Sequence, residues 1–188
     1  VFLRSCQRGG GQKNTRKVTY KGIQLKNLEL FNSFYENHLP FKLTNAQQRV
    51  IKEIYKDISS DKQMNRLLQG DVGSGKTMVA FLCCLIAIGS GTQSCIMAPT
   101  EILAEQHYAG LIDFANSLGI EIALLTGSTK KSQRTILHEK LKNGEIKILI
   151  GTHALLEKVV DFQNLAFCVI DEQHRFGVAQ RSKLWSKR

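Results

Sequence analysis

Apolar residues in this chain fall into short blocks separated by polar turns. Between Asn45 and Ile58 they recur at Val50, Ile51, Ile54 and Tyr55, one face of a 3.6-residue helix. Thr44, with Gln47 three residues on, supplies the capping box that starts it. From Met78 to Ile88 the chain is apolar all round, the mark of a helix buried on every side. Shorter apolar runs at 66–69, 94–98, 121–125, 146–150 and 166–170 read as strands. Helices are predicted between them over 76–89, 101–117 and 130–142, with a helical turn near 154–158. Strand and helix alternate, so the expected fold is α/β with a mostly parallel sheet and right-handed crossovers. Residues 1–38 show no such period. An irregular basic lead-in is expected there, with a short helix around Leu28–Asn37, and Pro40 marks the boundary of a domain over 39–188.

Two stretches at strand ends carry the chemistry. Gly70-Asp-Val-Gly-Ser-Gly-Lys-Thr77 matches the phosphate-binding loop G-x-x-x-x-G-K-[ST], and it stands between a predicted strand and the long apolar helix. Glycines at 70, 73 and 75, with Asp71, Val72 and Ser74 between them, let backbone N–H groups converge on a phosphate. Lys76 and Thr77 open the helix at its positive end. Asp171-Glu172-Gln173-His174 follows the strand Phe167–Ile170, so two carboxylates stand at a strand's carboxyl end, where open α/β sheets bind ligands. One motif can hold a triphosphate; the other can hold magnesium and activate a water. Magnesium prefers oxygen ligands, so His174 reads as a coupling residue, with Gln173, and not as a ligand.

Three smaller turns leave two readings open. Pro99-Thr100, Thr126-Gly127 and Gly151-Thr152 each follow a predicted strand with small or hydroxyl-bearing residues. They form either helix caps or a row that tracks a nucleic-acid backbone without reading bases. Gln47 is likewise either a capping residue or a reader of the adenine edge, with Phe41 upstream as a stacking partner. His38, His107, His138 and His153 show no catalytic pairing and are taken as surface or packing residues.

Composition narrows the class. Of 188 residues, 43% are hydrophobic and 22% charged, ordinary for a globular domain with a sizeable core. No apolar run reaches the roughly 18 residues a membrane span needs, so no membrane partner is expected. Val1-Phe-Leu is too short for a signal peptide, and the missing initiator methionine suggests a fragment. Five cysteines without metal-ligand spacing fit reduced thiols in a cytosolic protein. The net charge of +10 gathers in residues 1–26, which hold seven Lys or Arg and no acid. Such an arm either binds nucleic acid in a salt-dependent way or is a soluble linker.

These stretches, with Leu39-Pro-Phe-Lys-Leu-Thr-Asn-Ala-Gln47, Ala98-Pro-Thr-Glu-Ile-Leu-Ala-Glu-Gln-His107, Gly151-Thr-His-Ala-Leu155 and Val169-Ile-Asp-Glu-Gln-His-Arg-Phe-Gly-Val178, resemble the first motor domain of superfamily 2 helicases. The resemblance is to the RecG type, over about residues 38–188, and the last stretch is its most specific part. The transcription-repair coupling translocases are similar over the same region, with glutamine expected in place of His174. The resemblance implies a three-layer RecA-like domain that takes ATP and Mg2+. Lys76 would contact the β- and γ-phosphates, Thr77 and Asp171 would hold the metal, and Glu172 would activate water. Gln47 and Phe41 would meet adenine, and Pro99, Thr100, Thr126, Gly127, Gly151 and Thr152 would line the DNA path. Expected partners are branched or duplex DNA and, in the intact protein, a second RecA-like lobe and a wedge domain, in a monomer of the bacterial cytosol. The chain ends before the family's Ser-Ala-Thr motif and the second lobe, so weak nucleotide binding and poor hydrolysis are expected of it alone. A nucleic-acid-binding module that does not cycle ATP, and a P-loop enzyme of another kind such as a small-molecule kinase, are the competing readings.

Overall fold

The computed structural model describes residues 1–6 and 21–187, so Arg8, Lys13, Arg16 and Lys17 of the basic arm lie outside the described residues. The elements, in chain order, are β1 (Phe2–Ser5), α1 (Glu29–Asn37), α2 (Asn45–Ile58), β2 (Asn65–Leu67), α3 (Lys76–Gly89), β3 (Gln93–Met97), α4 (Glu101–Ser117), β4 (Glu121–Leu125), α5 (Lys131–Lys142), β5 (Ile146–Gly151), β6 (Leu165–Ile170) and α6 (Val178–Trp185). Short 3₁₀ turns cover His153–Leu156 and Gln173–Arg175. Predicted and observed elements from Asn45 to Ile170 agree to within a residue or two. The strand at 2–5 and the last helix were not foreseen.

One sheet in the order β2-β1-β6-β3-β5-β4 runs through the domain. β3 pairs in parallel with both β5 and β6, and β4 pairs in parallel with β5. β1 lies antiparallel to both β6 and β2, which leaves β2 running the same way as β6. The carboxyl ends of β2, β3, β4, β5 and β6 therefore all open onto one edge of the sheet.

Alternating strand residues feed two cores. On one face Ile96, Ile148, Ile150, Phe167 and Val169 meet α3 and α4; on the other Cys95, Met97, Leu149, Cys168 and Ile170 meet Leu137 and Leu141 of α5 and Leu184 of α6. This is a three-layer α/β architecture. Every residue of α3 from Val79 to Ile88 is buried, as the unbroken apolar run required. Burial pushes the Cys83 thiol up to about 12 and that of Cys84 higher still, so neither is a nucleophile near neutral pH.

The short helix expected around Leu28–Asn37 is α1, but β1 and the burial of both elements correct the expectation that the lead-in is irregular and lies outside a domain over 39–188. Leu3 is fully buried, and Ser5 Oγ accepts the Met64 N–H at 2.8 Å. Phe34 of α1 is also fully buried, edge-on to Phe81 and Phe114 at centroid distances of 5.3 and 5.4 Å. The physical reason is α3: apolar on all sides, it needs α1 to cover the face that α2 and α4 leave open. Replacing Phe34 with Ala should cost about 3–5 kcal/mol, the usual loss for emptying an aromatic site in a core. Urea unfolding checks this; a change near zero would mean that α1 lies outside the cooperative unit.

Candidate functional site

At the carboxyl end of β2 the chain turns through Gly70–Gly75 into α3. Gly73 and Gly75 adopt φ of 81° and 76°, a region that side-chain-bearing residues avoid. A Cβ on Gly75 would also run into the Gln47 amide, and one on Gly70 would lie 2.7 Å from Ser74 Oγ. These glycines are therefore needed for both conformation and space. Lys76 Nζ folds into the loop's curve and donates to Gly70 O and Asp71 O, both at 2.7 Å. Val72 stands fully exposed at the loop's tip.

Gln47 performs the cap and more. Its Oε1 accepts Thr44 N–H at 2.9 Å, its N–H donates to Thr44 Oγ1 at 3.2 Å, and its Nε2 donates to Ser74 O at 2.9 Å. The amide thus fastens α2 to the phosphate loop. A cleft of about 350 Å³ beside them is lined by Thr44, Gln47, Val50, Gly70, Ser74 and Lys76, among others. Phe41 is half-exposed and is not part of that lining.

Asp171 arrives from β6 and, with Thr77 and His107, lines one small cavity. Its backbone N–H donates to Met97 O at 2.9 Å, its Oδ1 accepts Glu172 N–H at 3.0 Å, and its Oδ2 lies 2.9 Å from His107 Nε2. The hydrogen bond from His107 is the largest influence holding the Asp171 carboxyl below its ordinary value of 3.8, against the opposing effect of burial. The pairing corrects the expectation that His107 is an ordinary packing residue. Its position as the seventh residue of the helix that Thr100 caps was the available signal, but nothing in the sequence alone joins it to Asp171.

Glu172 is the one non-glycine residue at positive φ among those described, at 44°. Such a conformation costs of order 1–3 kcal/mol and survives where surrounding structure imposes it. Its Oε2 is buried and lies 2.9 Å from Arg175 Nε, an ion pair aligned too poorly for a hydrogen bond. Gln173 Oε1 accepts from Arg181 at 3.3 Å, and His174 is exposed. The acidic turn is thus bent tightly enough to place two successive carboxylates at the sheet edge.

Oxygen donors at Thr77 and Asp171 suit magnesium, which takes few protein ligands and completes its shell with phosphate and water. Among the described residues no cluster of three His, Cys, Asp or Glu could hold a metal.

The three small turns fall on adjacent strands β3, β5 and β4, so they do form a row. Their exposed and buried parts divide sharply. Thr100, Gly127, Ser128 and His153 are exposed, Pro99 is half-buried, and Thr126, Gly151 and Thr152 are buried. Thr100 caps α4 by accepting Leu103 N–H at 3.2 Å. The buried Thr126 and Thr152 side chains cannot reach a strand lying on the surface, which leaves backbone and neighbouring groups for that role. Arg134 braces the turn after the edge strand β4, donating to Thr126 O at 2.7 Å and Thr129 O at 3.1 Å while forking onto Glu157 at 2.8 and 3.0 Å. Glu101 Oε1 accepts Ser128 N–H at 3.0 Å, and His153 packs on Phe176 with ring centroids 5.3 Å apart.

A phosphate loop opening a buried helix, faced by an Asp-Glu pair on a parallel strand, defines a P-loop nucleotide-binding domain of the RecA-like class. The profile of the DEAD/DEAH box helicases matches residues 44–187, and the chain belongs to that family. It is 53% identical over 159 residues to an ATP-dependent DNA helicase RecG of Synechocystis sp., covering 85% of this chain and 19% of that protein. The RecG of Bacillus subtilis is 56% identical over 149 residues, 79% of this chain and 22% of that one. The structure of a RecG bound to a three-way DNA junction superposes with a TM-score of 0.76 at 47% identity, covering 84% of this chain and 22% of that one. The chain thus spans about a fifth of the length of the curated relatives it matches.

The depressed Asp171 carboxyl has a signed consequence. A group whose folded value lies below its unfolded one stabilises the fold above the unfolded value, and that contribution is lost as pH falls through the folded value. The stability advantage of wild type over Asp171→Asn should therefore stay level from neutral pH downward and shrink once pH passes below 3.8. Urea titrations across that range test it; an advantage that grows on acidification would reverse the sign.

Proposed function

We propose that this chain is the ATP-binding first lobe of a helicase that moves on branched DNA, reversing stalled forks and migrating junctions. The observation that carries the reading is the sheet itself, which brings the carboxyl ends of β2 and β6, and with them the phosphate loop and the acidic motif, to one edge, where Thr77 and Asp171 line a common small cavity. Lys76, at the base of the loop, meets the β- and γ-phosphates in place of the carbonyls it now holds. Thr77 and Asp171 hold magnesium, which when bound neutralises charge developing on the transferred phosphoryl group. Glu172 orients the attacking water and takes its proton. Gln47 meets the adenine edge, with Phe41 at the approach. Gln173 and His174 pass the state of the site to whatever packs against the exposed 3₁₀ turn.

The exposed groups of the row, Thr100, Gly127, Ser128 and His153 beside Pro99, track one DNA backbone, and Thr126, Gly151 and Thr152 meet it through their main chain instead of their side chains. The similarity to a RecG on a three-way junction supports branched DNA as the partner. The second RecA-like lobe and a wedge domain complete the motor, which works as a monomer in the bacterial cytosol. Among the described residues no helix is long and apolar enough to cross a membrane.

Two substitutions separate the steps. Lys76→Ala should lose nucleotide binding, while Glu172→Gln should keep it and lose hydrolysis by about 10²–10⁴, the contribution of a placed general base. The assay is branched-DNA-stimulated ATP hydrolysis by the chain alone and with the second lobe added, beside binding of a fluorescent ATP analogue. DNA binding that ignores ATP, with no hydrolysis in either mixture, would replace the motor with a passive nucleic-acid module.

A further inference from the structure

We propose that His107 is a positioning residue for Asp171, setting the direction in which that carboxylate meets its metal. The inference rests on the reading of Asp171 as a magnesium ligand. His107 and Asp171 come from separate elements, α4 and the end of β6, and their side chains are only 13% and 19% exposed. The carboxylate accepts, so His107 donates its Nε2–H to Oδ2 at 2.9 Å. Oδ1 takes the N–H of the very next residue, a local bond that turns with the backbone of the acidic motif. The bond from α4 is therefore the contact that ties the carboxylate plane to a different part of the fold.

That anchor is itself rigid. Helix α4 is capped by Thr100, its Glu101 grips Ser128, and its Ala104, Leu111 and Ala115 are buried in the core. His107 sits about 10 Å along the axis from Thr100, at 1.5 Å per residue. The arrangement matters because magnesium tolerates little departure from octahedral geometry, so a ligand oxygen aimed slightly wrong binds poorly. Each carboxylate oxygen keeps a second lone pair, so the bond to His107 and a contact to the metal or its water can coexist. Groups that orient metal ligands in this way typically change metal affinity or activity 10–100-fold when removed.

The test titrates Mg2+ into the chain with a fluorescent ATP analogue, reading apparent metal affinity from nucleotide binding, with no turnover involved. Wild type is compared with His107→Leu, His107→Gln, Asp171→Asn and the double variant His107→Leu/Asp171→Asn; thermal midpoints confirm that each is folded. His107→Leu should weaken apparent Mg2+ affinity about tenfold or more. His107→Gln, whose amide offers an N–H in place of Nε2–H, should restore most of that loss. The double variant should bind no worse than Asp171→Asn, because the histidine acts through the aspartate. Wild-type Mg2+ affinity in folded His107→Leu, beside a clear loss in Asp171→Asn, overturns the positioning role and leaves His107 as packing. A His107→Gln variant no better than His107→Leu overturns it too. An Asp171→Asn variant that keeps Mg2+ affinity overturns the reading of Asp171 itself, and this inference with it.

Discussion

The parallel pairing of β3 with β6 is the constraint on which the site depends. It sets Met97 beside Ile170, and the ladder continues one step further as Asp171 N–H donates to Met97 O at 2.9 Å. That bond fixes where the acidic motif leaves the sheet. The same register puts Ala98 and Pro99 alongside it, so α4 must begin next to Asp171 and run back over the sheet. His107 reaches the carboxylate because the strands are in this register and no other. A slip of one residue would exchange the β6 side chains between the two cores and take Asp171 out of register with Met97 O.

β1 places a different constraint on the nucleotide side. It separates β2, which launches the phosphate loop, from β6, which launches the acidic motif, and it runs against both. Phe2 pairs with Leu67 on one side and Ile170 on the other, so this short strand sets the spacing between the two motifs. β2 is only three residues long and half exposed. It owes its place to β1 and to α2, whose Asp57 and Glu53 both hold Arg66. Because those ion pairs are partly solvated, their contribution is modest, and the β1 ladder carries more of the work of aligning the loop.

The parts that were legible in the sequence are those where local pattern and global fold agree. The apolar run of α3, the period of α2 and the short strands at even spacing have meaning without partners, and they fall where expected. The phosphate loop is legible for the same reason: its glycines answer to backbone geometry inside eight residues. What was not legible depends on distant partners. Phe2–Ser5 carries Arg4 and Ser5 and has no period to mark it as a strand; it becomes one only because β2 and β6 leave a gap between them. Thr126 and Thr152 look like surface hydroxyls, yet the turns holding them fold inward under Arg134 and against β3. The pairing of His107 with Asp171 joins residues 64 apart in sequence and follows from the sheet register alone.

Gln47 shows how two readings of one residue can both stand. The capping box is formed, and the amide also holds the phosphate loop through Ser74 O. Those bonds use one lone pair of Oε1 and one hydrogen of Nε2, while a primary amide offers two of each. One acceptor and one donor remain, on the same side chain, beside the cleft next to the loop. The edge of adenine that carries N7 and the exocyclic amine needs one donor and one acceptor in return. A base seated there would therefore add to the cap instead of breaking it, and would tighten the link between α2 and the phosphate loop. Capping and recognition would be compatible, because the cap holds the amide plane still and would lower the ordering cost of reading a base.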